Sequence, residues 1–161
     1  MNIFDLQPLP KTEVAVLSGP PSRQMILQLE EAIKQLPPAE APTTHHFASG
    51  VYGREMLIPA GVMLTGKIHK TACLNVISKG DITVATEFGN KRIKAPYTFV
   101  SPPGVKRAGY AHEDTIWICF HGTEETDLDK IEEQFTVETF EEFDLLENQK
   151  KLENQKMKEL T

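Results

Sequence analysis

Apolar residues recur at helical spacing near the two ends of the chain and alternate with polar ones in short runs between them. Near the start, Met25, Leu29, Ile33 and Leu36 fall three or four residues apart, which puts them on one face of a helix. Ser22 is placed to cap that helix. Pro37-Pro38 ends it and Pro42 keeps the link extended. Ahead of Gly19-Pro20-Pro21, Val14, Val16 and Leu17 predict an edge strand in an otherwise irregular stretch. Toward the other end, Leu128, Ile131 and Phe135 share a face of a short helix over Glu124–Phe135. A further helix is expected over residues 143–160, where LENQK occurs at 146–150 and again at 152–156. Leu145, Leu152 and Leu160 give it a narrow seam, too short to define a coiled coil.

From Thr43 to Gly122 the pattern changes to short strands with turn punctuation. Val51–Ile58 stops at Pro59-Ala60-Gly61 and Val62–His69 follows. Leu74–Ser78 ends at Lys79-Gly80-Asp81, and Ile82–Thr86 at Phe88-Gly89-Asn90. Arg92–Ala95, Tyr97–Ser101, Val105–Ala111 and Thr115–His121 complete the series. Strands this short and evenly spaced predict an antiparallel sandwich or barrel. Three parts are expected: residues 1–42 with one helix, a barrel over 43–122, and a helical segment over 123–161.

Charge sharpens that division. The chain of 161 residues carries a formal charge of −6, unevenly spread. Glu124–Glu147 holds eleven acids and one base, Lys130, whereas Thr43–Gly122 holds nine bases against five acids. The acidic segment is expected either to be a solvated helix or to cover the basic middle, within or between subunits. A net acidic chain excludes nucleic acid as the main partner. No run reaches the roughly 18 apolar residues that span a bilayer, and Met1–Pro10 lacks the regions of a signal peptide. Cys73 and Cys119 fit neither a disulfide framework nor a CxxC pair. A cytoplasmic protein with reduced thiols is expected, without membrane contact.

The middle segment resembles the cupin superfamily. Gly61, His69 and Gly80 fit the spacing of its first motif, G-x5-H-x-H-x3,4-E-x6-G, and Pro102-Pro103-Gly104 fits the second, G-x5-P-x-G-x2-H-x3-N. The match spans about residues 50–121. The wider layout also resembles small single-cupin proteins of tailed phages: a leading helix, Val51-Tyr52-Gly53-Arg54-Glu55, Gly66-Lys67-Ile68-His69-Lys70 and an acidic helix after the barrel. The resemblance implies a mainly β fold, an antiparallel double-stranded β-helix (the jelly-roll barrel), flanked by helices. In a phage, the location would be the host cytoplasm.

Four positions depart from that pattern. The ligand positions of the first motif fall on Lys67, His69 and Cys73, and those of the second on Arg107 and, for its Asn, Ala111. Lys67 and Arg107 cannot give a lone pair to a metal while charged. Two uses of the barrel interior follow. In the first, Lys67, Arg107, His69 and Asn75, with Tyr110 nearby, bind a small anionic molecule, Arg107 supplying a planar fork and Lys67 a point charge. Alternatively, Lys67 reaches the rim and Arg107 pairs with Glu55, Glu113 or Asp114. A divalent metal is not expected at the degenerate family site. It remains an alternative at His69, Cys73 and a third histidine, with His112 the choice and His121, His45 or His46 open. Tyr52, Tyr110 and Trp117 offer rings for stacking or for core packing. No phosphate loop, nucleophile elbow or zinc-protease helix is present. Function is expected to be small-anion binding, with a metal-dependent cupin enzyme or a phage accessory or virion scaffold as alternatives. A homo-oligomer is expected from the terminal helix and the segregation of charge.

Overall fold

The computed structural model describes residues 21–160, so the predicted strand around Val14–Leu17 lies outside the described residues. The first helix is α1, Arg23–Lys34, with the Ser22 hydroxyl accepting from Met25 N–H at its N-terminus. Ten strands follow: β1 (Thr43–Ala48), β2 (Val51–Ile58), β3 (Met63–Thr65), β4 (Ile68–His69), β5 (Cys73–Lys79), β6 (Asp81–Thr86), β7 (Gly89–Lys94), β8 (Tyr97–Ser101), β9 (Ala108–Ala111) and β10 (Thr115–His121). The chain then forms α2 (Leu128–Phe135), the short β11 (Thr136–Val137) and α3 (Phe140–Glu159).

One sheet runs β1-β2-β10-β5-β8, the other β3-β9-β6-β7, and all pairings are antiparallel. Without β1, each sheet takes four strands in the order that two interleaved Greek keys produce, which is the jelly roll. The expected fold class is therefore present. Strand alternation drives Ile58, Ile77, Ile82, Val84, Ile93 and Trp117 into one core between the sheets. On the outside, Met25, Ile26 and Leu29 of α1 seal Ala85 and Ala108 of the smaller sheet. Strand β1 was not foreseen. Its TTHHFA sequence lacks an apolar alternation because it is an edge strand, exposed along most of its length.

Residues 62–69, expected as one strand, form two. After β3 the chain leaves the smaller sheet, and β4 pairs instead with β11, setting His69 opposite Thr136 and Ile68 opposite Val137. Phe140 and Phe143 of α3 bury Ile68, and Gly104 leaves room for Phe143, whose ring would lie 2.5 Å from a Cβ there. The acidic segment is thus packed on the barrel through an apolar stripe, with its acids outward. Among the described residues, no helix is long and apolar enough to cross a membrane.

Candidate functional site

At one end of the barrel, the apolar core gives way to a cavity of about 510 Å³. Inward positions of the larger sheet supply Tyr52, Arg54 and Met56 from β2, and Trp117, Cys119 and His121 from β10. Thr65, Lys67 and His69 line it from the β3–β4 stretch, and Arg107 from the loop before β9. Ile131, Glu132 and Phe135 of α2 form a further wall, with Ile131 and Phe135 packed on Tyr52. The Phe135 ring lies 4.5 Å from that of His121. The acidic segment thereby covers part of the basic middle within one chain.

Lys67 sits at the rim. Its ammonium pairs with Glu132 and Glu138, each at 2.5 Å, and these carboxylates raise its pKa. Its charge is matched from within the chain rather than aimed at a ligand. Arg107 is different. Its Nη2 is buried and has no hydrogen-bond partner among the described residues, and burial lowers its pKa against the opposing pull of Cys119, Cys73 and Glu87. It makes no ion pair with Glu55, Glu113 or Asp114: Glu55 faces His46 at 3.3 Å, and Asp114 accepts from the Ala60 N–H.

Asn75, expected in the pocket, is fully buried behind its wall. Its Nδ2 donates to the Cys73 carbonyl and Ser101 Oγ, both at 2.8 Å. Its Oδ1 accepts from Trp117 Nε1 at 2.9 Å and Cys119 Sγ at 3.2 Å. Tyr110 and His112 lie away from the cavity, stacked edge to face on each other. His112 is committed to Thr83 Oγ1 at 2.7 Å, because β9 ends where the chain turns over β6. Of the expected metal set, His69 and Cys73 therefore come together, and His112 does not join them. The third residue beside them is His121, with donor atoms of all three within 4.8 Å of one another. Cys73 Sγ stands 3.8 Å from His121 Nε2. Hydrogen bonding with Cys119, and then with His121 and His69, lowers the Cys73 pKa, while Cys119 is raised by Cys73 and by burial.

The ligand positions implied by the cupin resemblance do not fit a metal. Lys67 is neutralised at the rim and Arg107 is a cation. The residues that sequence reasoning underused were His121 and Tyr52. Both occupy inward positions of strands whose bounds were read correctly, so their alternation with Cys119 and Arg54 was the available signal. His45 Nδ1 meets the Tyr52 hydroxyl at 2.7 Å, which fixes that ring at the cavity wall.

No family model matches the sequence, and no curated protein matches it. Solved structures resemble parts of the chain at low identity. KdgF from a Halomonas species is 14% identical, with a TM-score of 0.48 over 60% of this chain and 90% of that one. A cupin-2 domain protein from Shewanella frigidimarina is 12% identical, with a TM-score of 0.42 over 58% and 90%. The cupin domain of Schizosaccharomyces pombe Cnp3 is 15% identical, with a TM-score of 0.45 over 63% and 77%. The strand order defines the class of this chain, a jelly-roll barrel. Likenesses this distant bear on the fold alone.

Proposed function

We propose that this barrel binds a small anionic molecule in its cavity, with Arg107 as the counter-charge. The observation that supports the reading is Arg107, which lines the cavity and whose buried Nη2 has no hydrogen-bond partner among the described residues. A guanidinium largely withdrawn from water, with no ion pair among the described residues, is costly, and a bound anion offsets that cost. A carboxylate or phosphate matches its planar fork. The cavity, about 510 Å³, lies within the range of small-molecule sites, roughly 300–1,000 Å³. Tyr52 and Trp117 give it apolar walls, and His69 adds a polar edge. Lys67, held by Glu132 and Glu138, serves as a rim contact that ties α2 and the β11–α3 link over the cavity.

Calorimetric titration with acetate, succinate, citrate, inorganic phosphate and a nucleoside monophosphate tests the reading. At least one of these anions binds the wild type. Arg107→Met weakens that binding by about 10- to 150-fold, the loss expected for a charged hydrogen bond of about 1.5–3 kcal/mol. Arg107→Lys also weakens it, because the charge stays and the fork is lost. Wild-type protein that binds none of them, or an Arg107→Met protein that binds equally well, overturns the proposal.

A further inference from the structure

The structure holds a second constellation, which stands apart from the anion reading because it needs no contribution from Arg107. His69 arrives on β4, which is pinned by β11. Cys73 opens β5, and His121 closes β10. The register that pairs Phe120 with Leu74 carries His121 opposite Cys73, so both point to the same side of the sheet. The three donor atoms fall within 4.8 Å of one another.

Two further observations point to an ion. The Nδ1 atoms of His69 and His121 are both buried without a hydrogen-bond partner among the described residues, and His121 is only 8% exposed. Neither Nδ1 is committed to another partner among the described residues, so neither ring is locked away from an ion, and His121 turns its Nε2 toward the Cys73 thiol. In addition, the spacing is close to that of a bound site. A tetrahedral ion with bonds of about 2.0–2.3 Å sets nitrogen and sulfur donors about 3.5 Å apart. Cys73 Sγ and His121 Nε2 are 3.8 Å apart before any ion draws them in.

We propose that His69, Cys73 and His121 form a binding site for a borderline-soft divalent metal of the zinc type. Two imidazoles and one thiolate are the donors such an ion selects, and they disfavour magnesium and calcium, which take oxygen ligands. The site keeps His69 and Cys73 from the ligand positions of the cupin motifs and differs from that pattern in its third donor. Two of those positions became cations, and the third donor comes from the last strand instead. His69 and His121 both line the cavity, so the ion sits at its wall with three protein ligands. That leaves one position for water or a ligand, the arrangement typical of catalytic rather than structural zinc.

Cobalt(II) titration of the metal-stripped full-length protein provides the test. The wild type takes up one cobalt per chain, with intense visible bands of tetrahedral coordination and a near-ultraviolet thiolate-to-cobalt band. One equivalent of zinc displaces the cobalt and raises the melting temperature, whereas magnesium does neither. Cys73→Ser loses the thiolate band. His121→Ala and His69→Gln weaken zinc by more than about 100-fold, beyond the loss typical of outer-shell partners. His112→Ala binds as the wild type does. If Cys73→Ser fails to fold, the zinc-dependent melting shift of the wild type and the His69→Gln and His121→Ala titrations still decide. Wild type without a thiolate band, or with full zinc affinity retained in His121→Ala, overturns the proposal. Loss of anion binding in Arg107→Met with cobalt binding intact would separate the two sites.

Discussion

Asn75 shows what one buried amide does in this barrel. Both of its side-chain ends are used: Cys73 and Ser101 take its protons, while Trp117 and Cys119 donate to its oxygen. It thereby ties β5 to β8 and β10 directly behind the cavity wall. Truncation leaves the Trp117 N–H and the Ser101 hydroxyl without their partner in a dry interior. Each unsatisfied buried group costs about 1–3 kcal/mol, and the missing amide adds a small void. Asn75→Ala should therefore lose about 3 kcal/mol or more in urea denaturation. A loss below about 1 kcal/mol would mean that water replaces the amide. Arg107 is the opposite case, with a buried Nη2 that finds no partner among the described residues, and that contrast is why one residue is read as structural and the other as functional.

Among the elements, the β6–β7 hairpin carries a charge device of its own. Asp81 opens β6 with its side chain almost fully buried, and Arg92 of β7 grips it through Nε and Nη2, both at 2.8 Å. Lys94 adds a contact at 3.6 Å. The Arg92 hydrogen bonds hold the Asp81 carboxyl below its ordinary value, with the charges of Arg92, Lys94 and His112 helping against burial. A carboxylate with a depressed folded pKa stabilises the protein above the unfolded pKa, about 3.9 for Asp. As pH falls below that value, the unfolded chain takes up the proton first, and stability is lost on the way down to the folded pKa. Glu125, Glu138 and Asp144 are shifted in the same direction and add to the acid limb. Melting temperature followed from about pH 6 down to about pH 2 should fall more gently in Asp81→Asn than in the wild type. Equal slopes would show that the hairpin pair does not couple to folding.

On the scale of the molecule, the acidic segment acts as a wall and a strap. Phe140 and Phe143 cover Ile68, Asp144 grips Arg23 of α1 at 2.6 Å, and Glu138 holds Lys67. Beyond Asp144, Leu145, Leu152 and Leu160 of the expected seam are exposed. Deleting residues 138–161 removes seven acids and four bases and uncovers the Ile68 cluster. Burial of two phenylalanine side chains is worth several kcal/mol, so the melting temperature should drop by about 10 °C. The drop should be the same at every protein concentration, since the lost contacts lie within one chain. An unchanged melting temperature would leave the strap without energetic weight. A drop that varies with concentration would mark the segment as an interface between copies instead.

What the sequence by itself determined was local. The Ser22 cap and the Met25–Leu29 stripe made α1 legible, and alternation with Gly and Pro punctuation gave most strands to within a residue or two. Motif spacing pointed to the barrel, and the same spacing placed His69 and Cys73 near a site. Contacts between elements distant in the chain were decided only by the tertiary structure. His121 joins His69 and Cys73 because antiparallel register sets the last strand opposite β5, a pairing across some fifty residues that no local pattern encodes. Lys67 turned from a pocket cation into a rim clasp because α2 and the β11–α3 link brought Glu132 and Glu138 to it. Asn75 found four partners, whereas Arg107, in the loop before β9, was left with an Nη2 unpaired among the described residues. Hydrophobic periodicity says which side of a strand is buried. Whether a buried polar group is satisfied depends on which side chains the fold brings within three ångströms of it.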